Sequence, residues 1–553
     1  MKSKGLISII LPLILVLLFG CSQEKSKLQD KVILGIASDV TNFNPLYAFN
    51  GTEVNVSEII FPGLLGHNWD DTKGEITSFP LLAEDWEWSK DSSSITFNLR
   101  QDVYWSDSVQ FTADDVVYSF DLYSDVVVNS RFYASFDNYY LNSDLSIDLD
   151  KSFEIISSHK VKFNFRPGSV PSLFDTDMPI LPKHVFENIA REDIATSEVN
   201  FKPVGSGPYQ LADWNKNQSI VLRLNHDSFL AKENSIEELI FKIIPDYNSR
   251  LVQLKNQEID FMEEVRPEDL NDLKDVDYLS YTLRKGREYE YVGWNNLDPV
   301  EFAEEGKLVP HKLFGDSNER KALTHAINRQ MILDEFLSGY GQISTGPVAP
   351  IFDRAINKNV KPRGYNPTLA KEILKNAGWT DTDSDGILDK DGKDFSFDLS
   401  IPGGNPLRVS VATVIQNNLK AIGINVNIVT LEPSVLIDQM FGKKLDAWIS
   451  GWAVPIPILL KPFWHSDLES NIPNVASYRN KEIDSILDKL ETCKSVDLQK
   501  DLFKRFQEII QNDEPVTFLF WMDNIVVYNS KIENMDINPL GSIHYCWNWT
   551  LKE

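Results

Sequence analysis

The residue types that do chemistry are plentiful in this chain of 553 residues, but their spacing assembles no catalytic centre. There is no H-E-x-x-H pair for a catalytic zinc, no G-x-S-x-G nucleophile elbow and no G-x-x-x-x-G-K-[ST] phosphate loop. The histidines (His67, His159, His184, His226, His311, His325, His465 and His544) are scattered, without metal-ligand spacing. Gly205-Ser206-Gly207 is followed by Pro208 and Tyr209, where a nucleophile elbow would have to start a helix. Adjacent acids such as Asp114-Asp115 and Glu263-Glu264 read as solvated faces in a chain with 81 of them. One acidic run has ligand spacing: Asp381, Asp383 and Asp385 alternate ahead of Gly386, with Asp389 at the ninth position of an EF-hand-type loop. Its twelfth position is Gly392 rather than a bidentate acid. The run therefore reads first as an Asp/Gly-rich turn, with a structural Ca²⁺ on Asp381, Asp383, Asp385 and Asp389 as the alternative. No other cofactor is implied.

Lys and Arg total 54 against the 81 acids, a formal charge of −27. Without a basic block to offset it, that charge excludes a nucleic-acid partner. With 13 Trp, 18 Tyr and 31 Phe, the chain has ample apolar area for large cores and is not disordered. Met1-Lys2-Ser3-Lys4 is a basic start, and residues 5–20 are almost wholly apolar, the pattern of a signal-peptide core. Leu18-Phe19-Gly20-Cys21 resembles the lipobox of bacterial lipoproteins, which implies residues 1–20 as signal peptide, lipid on Cys21 and a tether over 21–30. An uncleaved anchor helix is the alternative; both make the chain exported and membrane-tethered, in the periplasm or at the cell surface. Cys493 and Cys546 are too few for a disulfide framework, although one bridge between them would suit an oxidising compartment.

Strands and helices mix along the whole chain, so the class is α/β. Strands are expected over 31–37, 140–165, 209–225, 239–244 and 257–261, with a hairpin over 80–100. Helices are expected over 57–65, from Thr112, and over 248–256, 319–336 and 369–377. Residues 297–317 read as a polar loop. The segments 395–401, 409–422 and 424–431 form a βαβ-like unit, two amphipathic helices cover 481–491 and 498–512, and 516–528 reads as one strand.

Several motifs, in order along the chain, resemble the solute-binding proteins of ABC importers in the oligopeptide/dipeptide-binding family (family 5). Pro80-Leu81-Leu82-Ala83-Glu84-Asp85-Trp86 with Phe97-Asn98-Leu99-Arg100 is similar to that family's hairpin. Val103-Tyr104-Trp105-Ser106-Asp107 with Thr112-Ala113-Asp114-Asp115-Val116, and then Gly205-Ser206-Gly207-Pro208-Tyr209, continue the likeness. So do Arg320-Lys321-Ala322-Leu323 with Ala326-Ile327-Asn328-Arg329, Tyr365-Asn366-Pro367, and Gly451-Trp452. The resemblance implies a two-lobed, class II type periplasmic-binding-protein-like fold with a hinged cleft and an extra subdomain. Lobe I would take 31–68, 204–290 and 516–553, the subdomain 69–203 and lobe II 291–515. It also implies a non-enzymatic monomer that captures peptide and delivers it to permease and ATPase subunits. An exported hydrolase and a structural lipoprotein are the competing classes.

The same resemblance places Asp39 and Thr41 at the solute, in the loop after the first strand. Tyr133, in Arg131-Phe132-Tyr133-Ala134-Ser135-Phe136, would touch it, and Gly451 and Trp452 would wall the cleft. Pro455 stands where peptide binders carry the Asp that pairs with the peptide's α-amino group. A proline has no charge to offer, and an ammonium buried without a counter-ion costs several kcal/mol. Either another acid serves the amine, Asp39 being the candidate, or the solute lacks a free amine there, as a sugar, metal chelate or other solute would.

Overall fold

The computed structural model describes residues 30–133 and 135–552. Cys21, the signal segment and most of the tether lie outside the described residues. Two large sheets organise the chain. The first has seven strands in the order Leu279–Arg284, Asn524–Asn529, Phe261–Met262, Lys31–Ile36, Glu238–Ile243, Ser219–Leu224, Tyr209–Asn215. The second has six: Gly341–Ile343, Val516–Met522, Glu288–Trp294, Ala447–Ala453, Ser396–Pro402, Asn425–Leu431. One edge of it is the βαβ unit: Ser396–Pro402 and Asn425–Leu431 pair in parallel around helix Pro406–Lys420.

Each sheet is covered according to its side-chain pattern. The run Val516-Thr517-Phe518-Leu519-Phe520-Trp521 is buried at every position, as a strand packed on both faces requires. One face of the second sheet packs Val292 and Leu399 against Ile415 of Pro406–Lys420. The other packs Tyr289, Trp448 and Phe518 against Ile483 of helix Lys481–Thr492 and Phe506 of helix Val496–Asp513. A separate four-stranded sheet (Ala83–Trp88, Ser94–Leu99, Lys160–Asn164, Phe153–Ser157) lies in the expected extra subdomain. Its Phe97 and Phe163 share one continuous core with Leu34 and Phe241 of the seven-stranded sheet.

Several elements differ from expectation. The strand expected over 516–528 is two strands in two sheets: Val516–Met522 pairs with Glu288–Trp294, whereas Asn524–Asn529 pairs with Leu279–Arg284. The chain therefore crosses between sheets at 285–287 and at 523, not at 290/291 and 515/516. Both strands are largely buried, so the apolar run continues across the crossing and only Asp523-Asn524 interrupts it. The helix expected over 57–65 is Gly51–Ile60, set by a capping box in which Asn50 and Glu53 exchange hydrogen bonds. The helix over 319–336 is two, Ser317–Ala326 and Arg329–Leu337, because the Asn328 side chain caps a new start at Met331 N. The strand over 257–261 shortens to Phe261–Met262, and the polar loop 297–317 holds helix Pro299–Glu305, capped by Asp298. Cys493 and Cys546 are both buried free thiols, so no bridge joins them; Cys546 sits in the first sheet's core, Cys493 at the end of helix Lys481–Thr492.

The two crossing strands touch backbone to backbone. A Cβ placed on Gly286 would lie 1.6 Å from the Met522 carbonyl oxygen. Beside it, Lys285 Nζ meets Asp523 Oδ2 at 2.8 Å, with the Asp523 side chain only 9% exposed. Gly286→Ala must push the strands apart and is expected to destabilise the protein by about 1–3 kcal/mol. Gly51→Ala, with nothing within 4 Å of its Cβ and a place in a helix's first turn, should be neutral or stabilising. Urea unfolding of the two variants checks this.

Candidate functional site

Strand direction locates the cleft. Lys31–Ile36 runs parallel to Glu238–Ile243 and to Phe261–Met262, and their carboxyl ends lie toward the crossing, where Arg284 pairs with Asn524. In the second sheet Ser396–Pro402, Asn425–Leu431 and Ala447–Ala453 are parallel, and Ala453 pairs with Glu288 beside the same crossing. Carboxyl ends of parallel strands from both lobes thus converge, the place where α/β sheets bind ligands.

The second lobe's wall is built on strand Ala447–Ala453. Its pairing with Ser396–Pro402 stops at Ser400–Trp448, so the two strands part toward their carboxyl ends. Gly451 faces helix Pro406–Lys420: its Cβ would lie 2.6 Å from Glu290 Oε1. Arg408, in that helix's first turn, reaches over the glycine and holds both Glu290 oxygens, Nε to Oε2 at 2.9 Å and Nη2 to Oε1 at 2.8 Å. Gly451 is thus small because a bidentate ion pair occupies the space above it. Trp452, on the opposite face, is half-buried; its Nε1 donates to Tyr291 Oη at 3.1 Å and its ring meets the edges of Phe441 and Phe463. Pro455 is fixed at the crossing through its neighbour: Val454 N donates to Arg287 O at 2.9 Å, and Arg287 Nη1 to Val454 O at 2.6 Å. The charged group closest to this corner on the crossing strand is a cation, not the acid a peptide amine would need.

Three residues expected at the solute make hydrogen bonds within the first lobe and the extra subdomain. Asp39 accepts from Trp214 Nε1 at 3.1 Å, Asn217 N at 2.7 Å and Val40 N at 2.8 Å, which ties its loop to the hairpin over 209–224. Thr41 donates through N and Oγ1 to Glu53 Oε1, at 2.8 and 2.7 Å. Burial works against the Glu53 charge, but donors from Thr41, Phe49 and Asn50 win and hold its carboxyl below the usual range. Thr41 therefore anchors helix Gly51–Ile60. Tyr133 Oη donates to Asp144 O at 3.0 Å; the residues of its run that line a cavity are Arg131 and Phe132.

That helix presents what the sequence reading missed. Thr52 and Asn55 line a cavity of about 230 Å³ with Ser38 and Glu263, at the carboxyl ends of the first sheet. Asn55 and Glu58 line a second, of about 240 Å³, with Arg131, Asp177 and His67. Asn55 and Ile543 line both, so the two cavities are neighbours across this helix. Burial pushes the Glu263 carboxyl up. The signal was a polar stripe, Thr52-x-x-Asn55-x-x-Glu58, hidden because the helix was placed too late in the chain. Gly207 seats the helix: its Cβ would lie 2.1 Å from Ile59 O, and its N–H donates to Ile60 O at 3.0 Å.

A second contact, away from the crossing, joins the extra subdomain to the second lobe. Trp69 packs edge-on to Phe352, and Glu75 pairs with Arg354 at 2.5 Å. Far from both, Asp381, Asp383 and Asp385 bring carboxylate oxygens within 4.8 Å of one another, all exposed. Asp389 is not in that group; its carboxylate accepts from Thr382 N and Oγ1.

Two α/β lobes joined by paired crossing strands, with strand carboxyl ends facing across a cleft, define a hinged binding protein. Residues 78–470 match the model of the bacterial extracellular solute-binding proteins, family 5, middle region, and the chain belongs to this family. It is 28% identical to the oligopeptide-binding protein AppA of Bacillus subtilis (strain 168), over 94% of this chain and 92% of AppA. It is 25% identical to di/tripeptide-binding protein 1 of Pseudomonas aeruginosa (strain UCBPP-PA14), over 90% of each. Of solved structures, AppA of B. subtilis in complex with a nonapeptide aligns with a TM-score of 0.73 at 27% identity, covering 95% of this chain and 99% of that one. NikZ of Campylobacter jejuni in complex with Ni(L-His) aligns at 0.74 and 26%, covering 94% and 99%.

Glu290 is 7% exposed in its side chain and Arg408 19%. Arg408→Met would strand a buried carboxylate and is expected to cost about 3–5 kcal/mol, whereas adding Glu290→Met should recover most of it. Denaturant unfolding of the single and double variants checks this.

Proposed function

We propose that this protein captures peptides in the cleft between its lobes and hands them to the permease of an ABC importer. The carrying observation is the carboxyl-terminal half of strand Ala447–Ala453, which leaves its neighbour after Trp448 and ends beside the crossing. An extended peptide can add to such an edge through main-chain hydrogen bonds, which gives affinity without fixing sequence. Trp452 beside it offers a large flat side chain. The oligopeptide- and di/tripeptide-binding relatives support the same solute class.

The rest of the role follows from the sequence. The chain has no phosphate loop of its own, so transport requires separate permease and ATPase subunits. Lipid on Cys21 would keep the monomer at the membrane while its lobes sample solute. Asp39 and Thr41 contribute by holding the loop and helix of the first wall, and Pro455 leaves the second wall without an acid for the peptide amine.

Isothermal titration with di- to pentapeptides, free and N-acetylated, checks the reading. Saturable binding without turnover is expected, and Trp452→Ala should weaken it about tenfold or more. Absence of heat with every peptide would contradict peptide capture, and hydrolysis products in the cell would favour an exported hydrolase.

A further inference from the structure

Main-chain capture on the second lobe leaves a cavity between the first lobe and the extra subdomain without a role. It lies between helix Gly51–Ile60 and the C-terminal segment, with Ile59, Phe61, Leu65, Phe132 and Trp547 as apolar walls and Glu58 opening into it. Its charges do not balance. Glu58 and Asp177 are two acids against one guanidinium, Arg131. That guanidinium is shared: Nη1 donates to Ala48 O at 3.1 Å, and the group lies 4.4 Å over the Phe132 ring. Asp177 Oδ2 faces His67 Nε2 at 2.7 Å. Glu58 lines this enclosed cavity and forms no ion pair among the described residues.

We infer that this cavity receives a cationic end of the captured peptide, an alkylammonium or guanidinium, with Glu58 as its counter-ion and the apolar walls around its aliphatic stem. The inference rests on the peptide reading above and goes beyond it by naming the chemistry the site selects. An acid on the first lobe answers its absence at Pro455 on the second. A long basic side chain suits the walls because its methylenes bury while its charge reaches an acid. The cation comes from the peptide's own α-amino group or from a Lys or Arg side chain, and the two sources are separable by experiment.

The surroundings of Glu58 couple binding to pH. Burial first, then the Asp177 charge, pushes its carboxyl up to about 7, against the pull of Arg131 and His67. From the C-terminal segment, burial pushes the His544 imidazole down and the Tyr545 phenol up, so both stay neutral at physiological pH. Below about pH 7, Glu58 is mostly protonated; a bound cation favours its carboxylate, so binding expels a proton and weakens as pH falls. Glu58→Gln isolates the share due to Glu58.

The test is calorimetry with Ala-Lys-Ala and Ala-norleucine-Ala, each free and N-acetylated, on wild-type protein and Glu58→Gln, at about pH 6 and about pH 8. If a side chain fills the cavity, Glu58→Gln loses about tenfold in affinity for both lysine peptides and nothing for the norleucine pair. If the α-amino group fills it, the loss falls on both free peptides and spares the acetylated ones. In either case the affected ligands bind more tightly to wild type at the higher pH, and Glu58→Gln flattens that rise. The spared ligands show that the variant is folded. Equal loss for all four ligands, or no loss for any, overturns the cation site while leaving peptide capture standing. Failure of wild-type protein to bind any of the four, or any longer peptide, overturns peptide capture and the site with it.

Discussion

The structure depends on one close approach, Gly286 against the carbonyl of Met522. Two strands cross between the lobes side by side, at a separation no side chain would permit. Because they cross together, the sheets on either side are set with strand carboxyl ends facing each other, and everything ascribed to the cleft follows from that. Lys285–Asp523 holds the pair in register at its edge. Two adjacent crossings restrain twist and shear while leaving bending soft, the mechanical requirement of hinge closure.

The two walls differ chemically. On the second lobe, charge is internally satisfied: Arg408 and Glu290 neutralise one another over Gly451, so what remains for a ligand is main chain and the Trp452 ring. On the first lobe, acids outnumber cations, and burial raises both Glu58 and Glu263. Main-chain recognition tolerates many sequences, whereas an unbalanced charge selects among them. A binding protein that must accept varied solutes and still discriminate can divide those tasks between facing lobes.

The fold was legible in the sequence because its motifs carry packing constraints that survive substitution. Gly205-Ser206-Gly207-Pro208-Tyr209 was read as a resemblance, and its physical content is the fit of Gly207 against the end of helix Gly51–Ile60. The βαβ unit was legible from its alternating apolar runs. The switch of sheets at Asp523 was not, since largely buried strands show no period to interrupt. Of the proposed site, Gly451 and Trp452 were legible because they stand in a motif. Asp39 and Thr41 spend their hydrogen bonds holding the loop after the first strand and the helix that follows. Glu58 escaped notice because its helix begins at an Asn-Gly pair that reads as a turn.

The central claim is that a peptide bridges the two sets of strand ends at once. Hydrogen exchange with and without saturating peptide measures this most directly, because it reports backbone protection segment by segment. The account predicts slower exchange in residues 449–455 of the second lobe together with 37–41 and 51–58 of the first. Protection confined to one lobe, or bound peptide with no change in residues 449–455, would contradict it.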